Sequence, residues 1–205
     1  MKRILYYHPL SNFARKIRIL LAEKKLDYEL KAVNLQNKPD DFLKISPIGK
    51  VPVFVEEDGT VIWDSTLIAE YLDETYPEPN FYPTHPQAKL ECRKWEELGD
   101  NLGDNIINLW KLNLTNNFDP TDYRTQLETS INGLLSVFDQ QLAKSKYLLG
   151  DEQWTVADVT TLCSLGYYNL RVNEDWVLEY ENLKNWFNRL HQRESVKSTV
   201  PLNKE

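Results

Sequence analysis

The stretch PEPNFYPTHP, residues 77–86, holds four prolines in ten residues. Proline locks φ and has no N–H to donate, so neither a helix interior nor a central strand can run through it. The chain is therefore expected to form two bodies joined by a linker, each with its own small core. Its 205 residues suit that division, since domains commonly run about 100 to 150 residues.

Before the linker the pattern alternates. RILYY (3–7) reads as a short buried strand and HPLSN as a turn, and Phe13, Ile17, Leu20 and Leu21 then recur at helical spacing from Asn12. YELKAV (28–33) predicts a second strand, parallel to the first if the intervening helix crosses over one sheet. A short helix follows near DDFLKI, and VPVFV and VIW flank EEDGT, whose Asp58-Gly59 is a hairpin signal. From Ser65 a further helix is expected, with Leu67, Ile68, Tyr71 and Leu72 inward and Glu70, Asp73 and Glu74 outward. The order through Tyr76 is β-α-β-α-β-β-α.

After the linker only helical periodicity is found. Trp95, Leu98, Leu102, Ile106 and Leu109 mark one long helix, and Leu127, Ile131, Leu134, Leu135, Phe138 and Leu142 another, with Asp119-Pro120 between them. Thr155-Val156-Ala157-Asp158 reads as a capping box opening a third, with Asp in place of the usual Glu or Gln. A last helix is expected over about 182–193, and the tail from Ser195 as irregular. The fold class is thus α/β followed by an all-α bundle.

Several function classes are disfavoured. Cys92 and Cys163 stand far apart in helix-like contexts, so they are read as core thiols, without a disulfide framework or a Cys-x-x-Cys pair. His8, His85 and His191 lack metal-ligand spacing, and no metal is implied. No apolar run approaches the roughly 20 residues that span a bilayer, and the start turns polar too soon for a signal peptide, so no membrane association and a cytoplasmic location are expected. Net charge is −7, yet residues 1–50 hold 11 Lys or Arg against 5 Asp or Glu, so that segment carries +6 and the rest −13. An acidic body argues against nucleic acid, whereas a positive first segment suits a small anionic ligand.

Three places have both a structural and a functional reading. Ser11 precedes the first helix, where it can cap the helix or offer its hydroxyl to an anion at the positive end of the dipole. Pro52 can simply start a strand, or its bond to Val51 can be cis, leaving the Val51 backbone free to pair with a peptide-like ligand. Asp64 and Ser65 can cap the helix that follows, or take a ligand ammonium and a ligand carboxylate.

At these positions along one β-α-β-α-β-β-α body, the pieces SNFARKIRILLAEK, SPIGKVPVF and DSTLIAEYLDETYP resemble the cytosolic glutathione transferase family over nearly the whole chain. The resemblance implies a thioredoxin-like glutathione-binding domain at 1–80 and an all-helical domain at 87–205 that forms a second-substrate pocket. It implies that Pro52 is cis and that the Val51 backbone holds the cysteinyl unit of glutathione, with Asp64 and Ser65 at the γ-glutamyl end. Lys50 and Lys38 would contact the glycine carboxylate, as in tau-like members. Ser11 resembles the catalytic serine of the zeta, theta and tau-like classes. Tyr7 stands where other classes place a catalytic phenol, and Asn12 is a further candidate donor to the sulfur. Asn105, Trp110 and Trp176 are candidate walls for the second substrate, the alternative being that they are bundle core.

The family's activity would be attack of a glutathione thiolate on a small electrophile, with weak peroxidase activity beside it. Glutathione would be a co-substrate and the assembly a homodimer, for which Phe81 and Tyr82 are candidate surface aromatics. Ser11 is followed by Asn12 and Phe13 rather than by Ser-Cys, which counts against maleylacetoacetate isomerisation. No cysteine lies near the first helix, which disfavours thiol-disulfide exchange of the beta and omega types. Two other readings stay open: a non-catalytic binding protein like the stringent starvation proteins, and a glutathione-dependent dehalogenase, lyase or isomerase.

Overall fold

Strand β1 (Ile4–Tyr7) runs through the middle of a four-stranded sheet of order β2-β1-β3-β4. This is a computed structural model, which describes residues 2–114, 121–173 and 175–201. Helix α1 (Asn12–Glu23) crosses over and delivers β2 (Glu29–Ala32), which pairs with β1 in parallel with Ile4 opposite Glu29. After α2 (Asp40–Ile45) the chain returns as an antiparallel hairpin of β3 (Val53–Val55) and β4 (Val61–Trp63). At its turn Asp58 Oδ1 accepts from Thr60 N at 2.8 Å, and Gly59 takes φ +92°. Helix α3 (Ser65–Thr75) closes this thioredoxin-like domain.

The helical domain begins at the last linker proline. Pro86 opens α4 (Pro86–Leu114), a first-turn position where its missing N–H costs nothing. Then come α5 (Thr121–Leu142), α6 (Val156–Arg171), a 3-10 turn (Asp175–Leu178), α7 (Glu181–Leu190) and α8 (Glu194–Lys197). The expected Asp119-Pro120 break lies outside the described residues. The last long helix stops at Leu190 rather than near 193, and the tail expected to be irregular contains α8, pinned because Arg15 donates to Val196 O at 3.3 Å.

Two separate cores were expected, yet one continuous apolar cluster runs from Leu5, Leu20 and Phe54 to Leu102, Phe138, Leu162 and Trp186. A small satellite of Val33, Phe42 and Val53 lies under α2. The linker itself fills the seam: Phe81 and Tyr82 are 2% and 3% exposed, so the proposed surface aromatics are core instead. The side chain holding them was expected to face solvent. Asp73 accepts from Phe81 N at 2.7 Å and Tyr82 N at 3.0 Å, and pairs with buried Lys24 at 2.9 Å. Lys24 also donates to the carbonyls of Tyr76 and Pro79, so its three protons are all used. Leu67, expected inward, is half exposed.

Helices α4 and α6 touch along two glycines. A Cβ at Gly99 would lie 2.8 Å from Thr161 Oγ1 and 3.1 Å from the Thr161 backbone N, and one at Gly103 2.8 Å from Ser164 Oγ. That approach lets Ser164 Oγ donate to Gly99 O at 2.8 Å. Gly99→Ala should lose about 1 to 2 kcal/mol in urea unfolding, overpacking outweighing about 1 kcal/mol of regained helix propensity. An unchanged midpoint would show that the helices can part at no cost.

Candidate functional site

The site is built from the ends of three elements. Between β1 and α1, Ser11 N donates to His8 O at 2.9 Å, making a tight turn that sets Ser11 at the N-cap of α1. There Ser11 Oγ accepts from Ala14 N at 3.1 Å. The cap uses a lone pair of the hydroxyl, so its proton remains available to a ligand. Both readings of Ser11 are thus compatible.

SPIGK (46–50) forms a second edge. Ser46 Oγ donates to Lys50 O at 3.0 Å, and Gly49 sits at φ +60°, a conformation that favours glycine. Lys38 crosses this turn with Nζ 3.2 Å from where a Cβ of Gly49 would stand, and Lys50 follows at the edge of the cleft. The Val51–Pro52 bond is cis. Among the described residues neither the N–H nor the C=O of Val51 has a backbone partner.

The third edge is the start of α3. Asp64 takes φ +78°, a region that costs a non-glycine residue about 1 to 3 kcal/mol. Its carboxylate is held by two amides of the helix, Thr66 N at 2.8 Å and Leu67 N at 3.3 Å. The Ser65 N–H and hydroxyl have no partner among the described residues, although Ser65 is buried.

A cleft of about 410 Å³ brings these edges together. Lys50, Val51, Pro52, Asp64, Ser65 and Thr66 line one wall with Phe13 and Ile48, and Glu97, Asp100, Asn101 and Asp104 of α4 line the other. Sequence reasoning missed the α4 wall. Its spacing of 97, 100, 101 and 104 is one polar helical face, opposite the apolar stripe that was read. Asp100 accepts from Thr66 Oγ1 at 3.2 Å and faces Lys16 at 3.4 Å, while its Oδ1 is buried without a partner. Burial pushes the Asp100 carboxyl up to about 6, against the pull of Lys16.

The remaining candidates lie elsewhere. Ser11 and Lys38 flank the cleft without being part of its lining. Tyr7 packs against the core with the Arg18 guanidinium 5.4 Å from its ring centroid. Asn12 is buried, its amide nitrogen 2.5 Å from where a Cβ of Gly103 would stand. Asn105 donates to Ser130 Oγ at 2.9 Å, and Trp110 meets Tyr167 edge-on at 6.3 Å. Trp176 is 2% exposed and packs on Phe187, so it is core rather than a pocket wall. Among the described residues no cluster of His, Cys, Asp or Glu could hold a metal, and no helix is long and apolar enough to cross a membrane. Cys92 and Cys163 are buried free thiols whose pKa values burial pushes up to about 12 and about 11.

The arrangement suits a short peptide with charges at both ends. Lys50 at the edge of the cleft can take a carboxylate, the open amide and hydroxyl of Ser65 at a helix N-terminus can take another, and Asp64 and Asp100 can take an ammonium. An unpaired stretch of backbone lies between them.

Residues 5–80 match the family described as "Glutathione S-transferase, N-terminal domain", and residues 102–194 match "Glutathione S-transferase, C-terminal domain". The chain is 30% identical over 193 residues to an uncharacterized GST-like protein, YibF, of Escherichia coli, covering 93% of this chain and 95% of that one. It superposes with a TM-score of 0.91 on a glutathione S-transferase of Methylobacillus flagellatus with glutathione bound, at 31% identity and over 98% and 100% of the two chains. A glutathione S-transferase of Methylobacterium radiotolerans in complex with glutathione sulfonate also gives 0.91, at 25% identity over 99% and 96%.

Proposed function

Since the chain belongs to the glutathione transferase family, we propose that it binds glutathione in the cleft beside Val51 and activates its thiol for attack on small electrophiles. The observation that carries this reading is the open Val51 backbone, which shares one cleft with the unpartnered Ser65 N–H and with Lys50. Glutathione offers a matching order of groups: a γ-glutamyl ammonium and carboxylate for Asp64 and Ser65, a peptide unit for Val51, and a glycine carboxylate for Lys50 and Lys38. On this reading residues 1–80 bind glutathione and 87–205 face the second substrate, in a cytoplasmic protein.

Ser11 is the residue assigned to the sulfur. A free thiol has a pKa of about 8.5, and lowering it by about two units takes roughly 2.7 kcal/mol. One hydroxyl hydrogen bond to an ion supplies about 1.5 to 3 kcal/mol and the helix dipole up to about 1. Tyr7 is disfavoured because its ring is engaged by Arg18 and packed on the core. A homodimer is part of the same proposal. Leu67 and Leu90 are about half exposed and flank the ion pair from Arg93 on α4 to Glu70 on α3, a patch suited to a second copy.

The test is calorimetric titration with glutathione, followed by absorbance titration of the bound thiol, on the wild type, Ser11→Ala and Tyr7→Phe. The expected result is micromolar to low-millimolar binding, a bound-thiol pKa well below 8.5, and a rise of one to two units in Ser11→Ala with about a hundredfold loss of kcat/KM. Tyr7→Phe should change neither by more than about twofold. Absence of glutathione binding overturns the reading and leaves the non-catalytic binding protein in its place.

A further inference from the structure

Through its first half, helix α4 pairs its charges. Lys89 meets Glu74 at 3.6 Å, Arg93 meets Glu70 at 2.8 Å, Lys94 meets Glu91 at 3.0 Å, and Glu96 meets Lys16 at 2.5 Å. Where the helix walls the cleft, the pairing stops. Among the described residues neither Glu97 nor Asp104 has an ion-pair partner, and the one hydrogen bond to their carboxylates comes from Asn101 Nδ2 to Glu97 Oε1, at 2.8 Å. With Asp64 and Asp100 they put four carboxylates around the cleft against the single ammonium of Lys50, a formal charge of −3. Lys16, behind the wall, does not offset this, because it lies closer to Glu96 than to Asp100, which is 3.4 Å away. The carboxylates sense one another. Partial burial, and then Glu97 and Asp64, raise the Asp104 pKa above its ordinary value against the pull of Lys50 and Lys111.

An acidic helix face is by itself only a solvated surface. Two further observations mark this one as facing a ligand. Ser65 is 5% exposed and lines the same cleft with a hydroxyl that has no hydrogen-bond partner among the described residues. Asp100 Oδ1, on the acidic wall itself, is likewise buried without a partner. The transferase reading employs Asp64 and Asp100 at the ammonium of glutathione and Lys50 at its glycine carboxylate, which leaves Glu97 and Asp104 facing the second substrate. We infer that Glu97 and Asp104 select electrophiles that carry a positive charge, an inference that rests on the transferase reading above. A cation beside them is drawn by both carboxylates and by the glutathione thiolate, whereas an anion is repelled by all three. Cleft walls of one sign focus the field, so the preference exceeds what the same charges give on an open surface. Phe13 and Ile48 supply apolar contact for the uncharged part of such a substrate.

Three 4-chloro-3,5-dinitrobenzamides test it, alike except for the group that ends a two-carbon chain on the amide nitrogen: trimethylammonium, the uncharged tert-butyl group of the same shape, or carboxylate. In each, the glutathione sulfur bonds to the ring carbon, the carbon–chlorine bond breaks, chloride leaves with the electron pair, and the thiol proton passes to solvent. Initial rates of the full chain with glutathione are measured at about pH 7.5, where carboxylates are ionised, and corrected for the uncatalysed reaction. The expected kcat/KM of the wild type is about a hundredfold higher for the cation than for the anion, with the neutral compound between them. That factor corresponds to about 2.8 kcal/mol. In the double variant Glu97→Gln, Asp104→Asn the ratio should fall below about tenfold; both positions are exposed, so the fold is kept. In the wild type it should fall about tenfold when salt rises from about 0.02 M to about 0.5 M. A wild-type ratio under about threefold, or one that neither the variant nor salt lowers, overturns the inference, while turnover of the neutral compound leaves the transferase reading standing. Turnover of none of the three overturns the inference, and with no glutathione bound it overturns the transferase reading too.

Discussion

Asp158→Ala should cost at least about 5 kcal/mol, enough to remove most of the soluble protein at 37 °C. The Asp158 side chain is fully buried and accepts four hydrogen bonds, from Leu148 N at 3.1 Å, Thr155 N at 2.9 Å, the Thr155 hydroxyl at 3.2 Å and Trp186 Nε1 at 3.0 Å. Alanine leaves all four donors buried and unpaired, at about 1 to 3 kcal/mol each, against a typical total stability of about 5 to 15 kcal/mol. Three segments come loose together: the start of α6, the loop before it and the Trp186 face of α7. Asp158→Asn should recover part of the loss, since its carbonyl oxygen still accepts while its amide opposes donors. The check is urea unfolding followed by far-UV dichroism and tryptophan fluorescence. A loss under about 2 kcal/mol would mean that water reaches these donors.

Glu96→Gln should cost about 3 to 5 kcal/mol for a different reason. Lys16 is 1% exposed, and its ammonium lies 2.5 Å from Glu96 Oε1, while the Tyr82 hydroxyl donates to the same carboxylate at 2.8 to 2.9 Å. Burial works against the Lys16 charge, but Asp100 and Glu96 leave its pKa above the ordinary lysine value. Removing the closer anion leaves a buried cation with a long contact to Asp100, and breaking a buried pair on one side carries the penalty just stated. Replacing both Lys16 and Glu96 by Met should cost less than Glu96→Gln alone, because no charge is then stranded. Asp100→Asn makes the contrast. Its carboxyl is pushed up to about 6 in the folded state, above the ordinary value of 3.8, so its ionisation opposes folding as pH rises from about 4 to 6. At pH 7 the variant should lose less than about 1 kcal/mol, measured by the same unfolding experiment.

These two clusters differ in how far the sequence revealed them. The capping box at Thr155 and Asp158 was legible because its parts are three residues apart and act within one turn. Lys16 and Glu96 are 80 positions apart, and each looks like an ordinary residue on the polar face of a helix. Asp73 was misread for the same cause. Helical periodicity put it outward with Glu70 and Glu74, but the linker folds back over that side of α3 and supplies the two amides it accepts. Leu67 erred in the opposite sense, since the described residues leave half of its surface exposed.

The order of strands and helices up to Leu190, the parallel pairing of β1 with β2 and the antiparallel pairing of β3 with β4, the capping residues at 11 and 64, and the hairpin at Gly59 follow from local rules of φ, side-chain period and hydrogen-bond supply. Those rules act over a few residues and can be read directly. Whether the two halves share a core, which wall faces Val51, and which charges meet Lys16 depend on how elements far apart in the sequence pack. Packing is settled by volume and by the requirement that every buried charge and N–H find a partner, and neither condition is a property of any short stretch of chain.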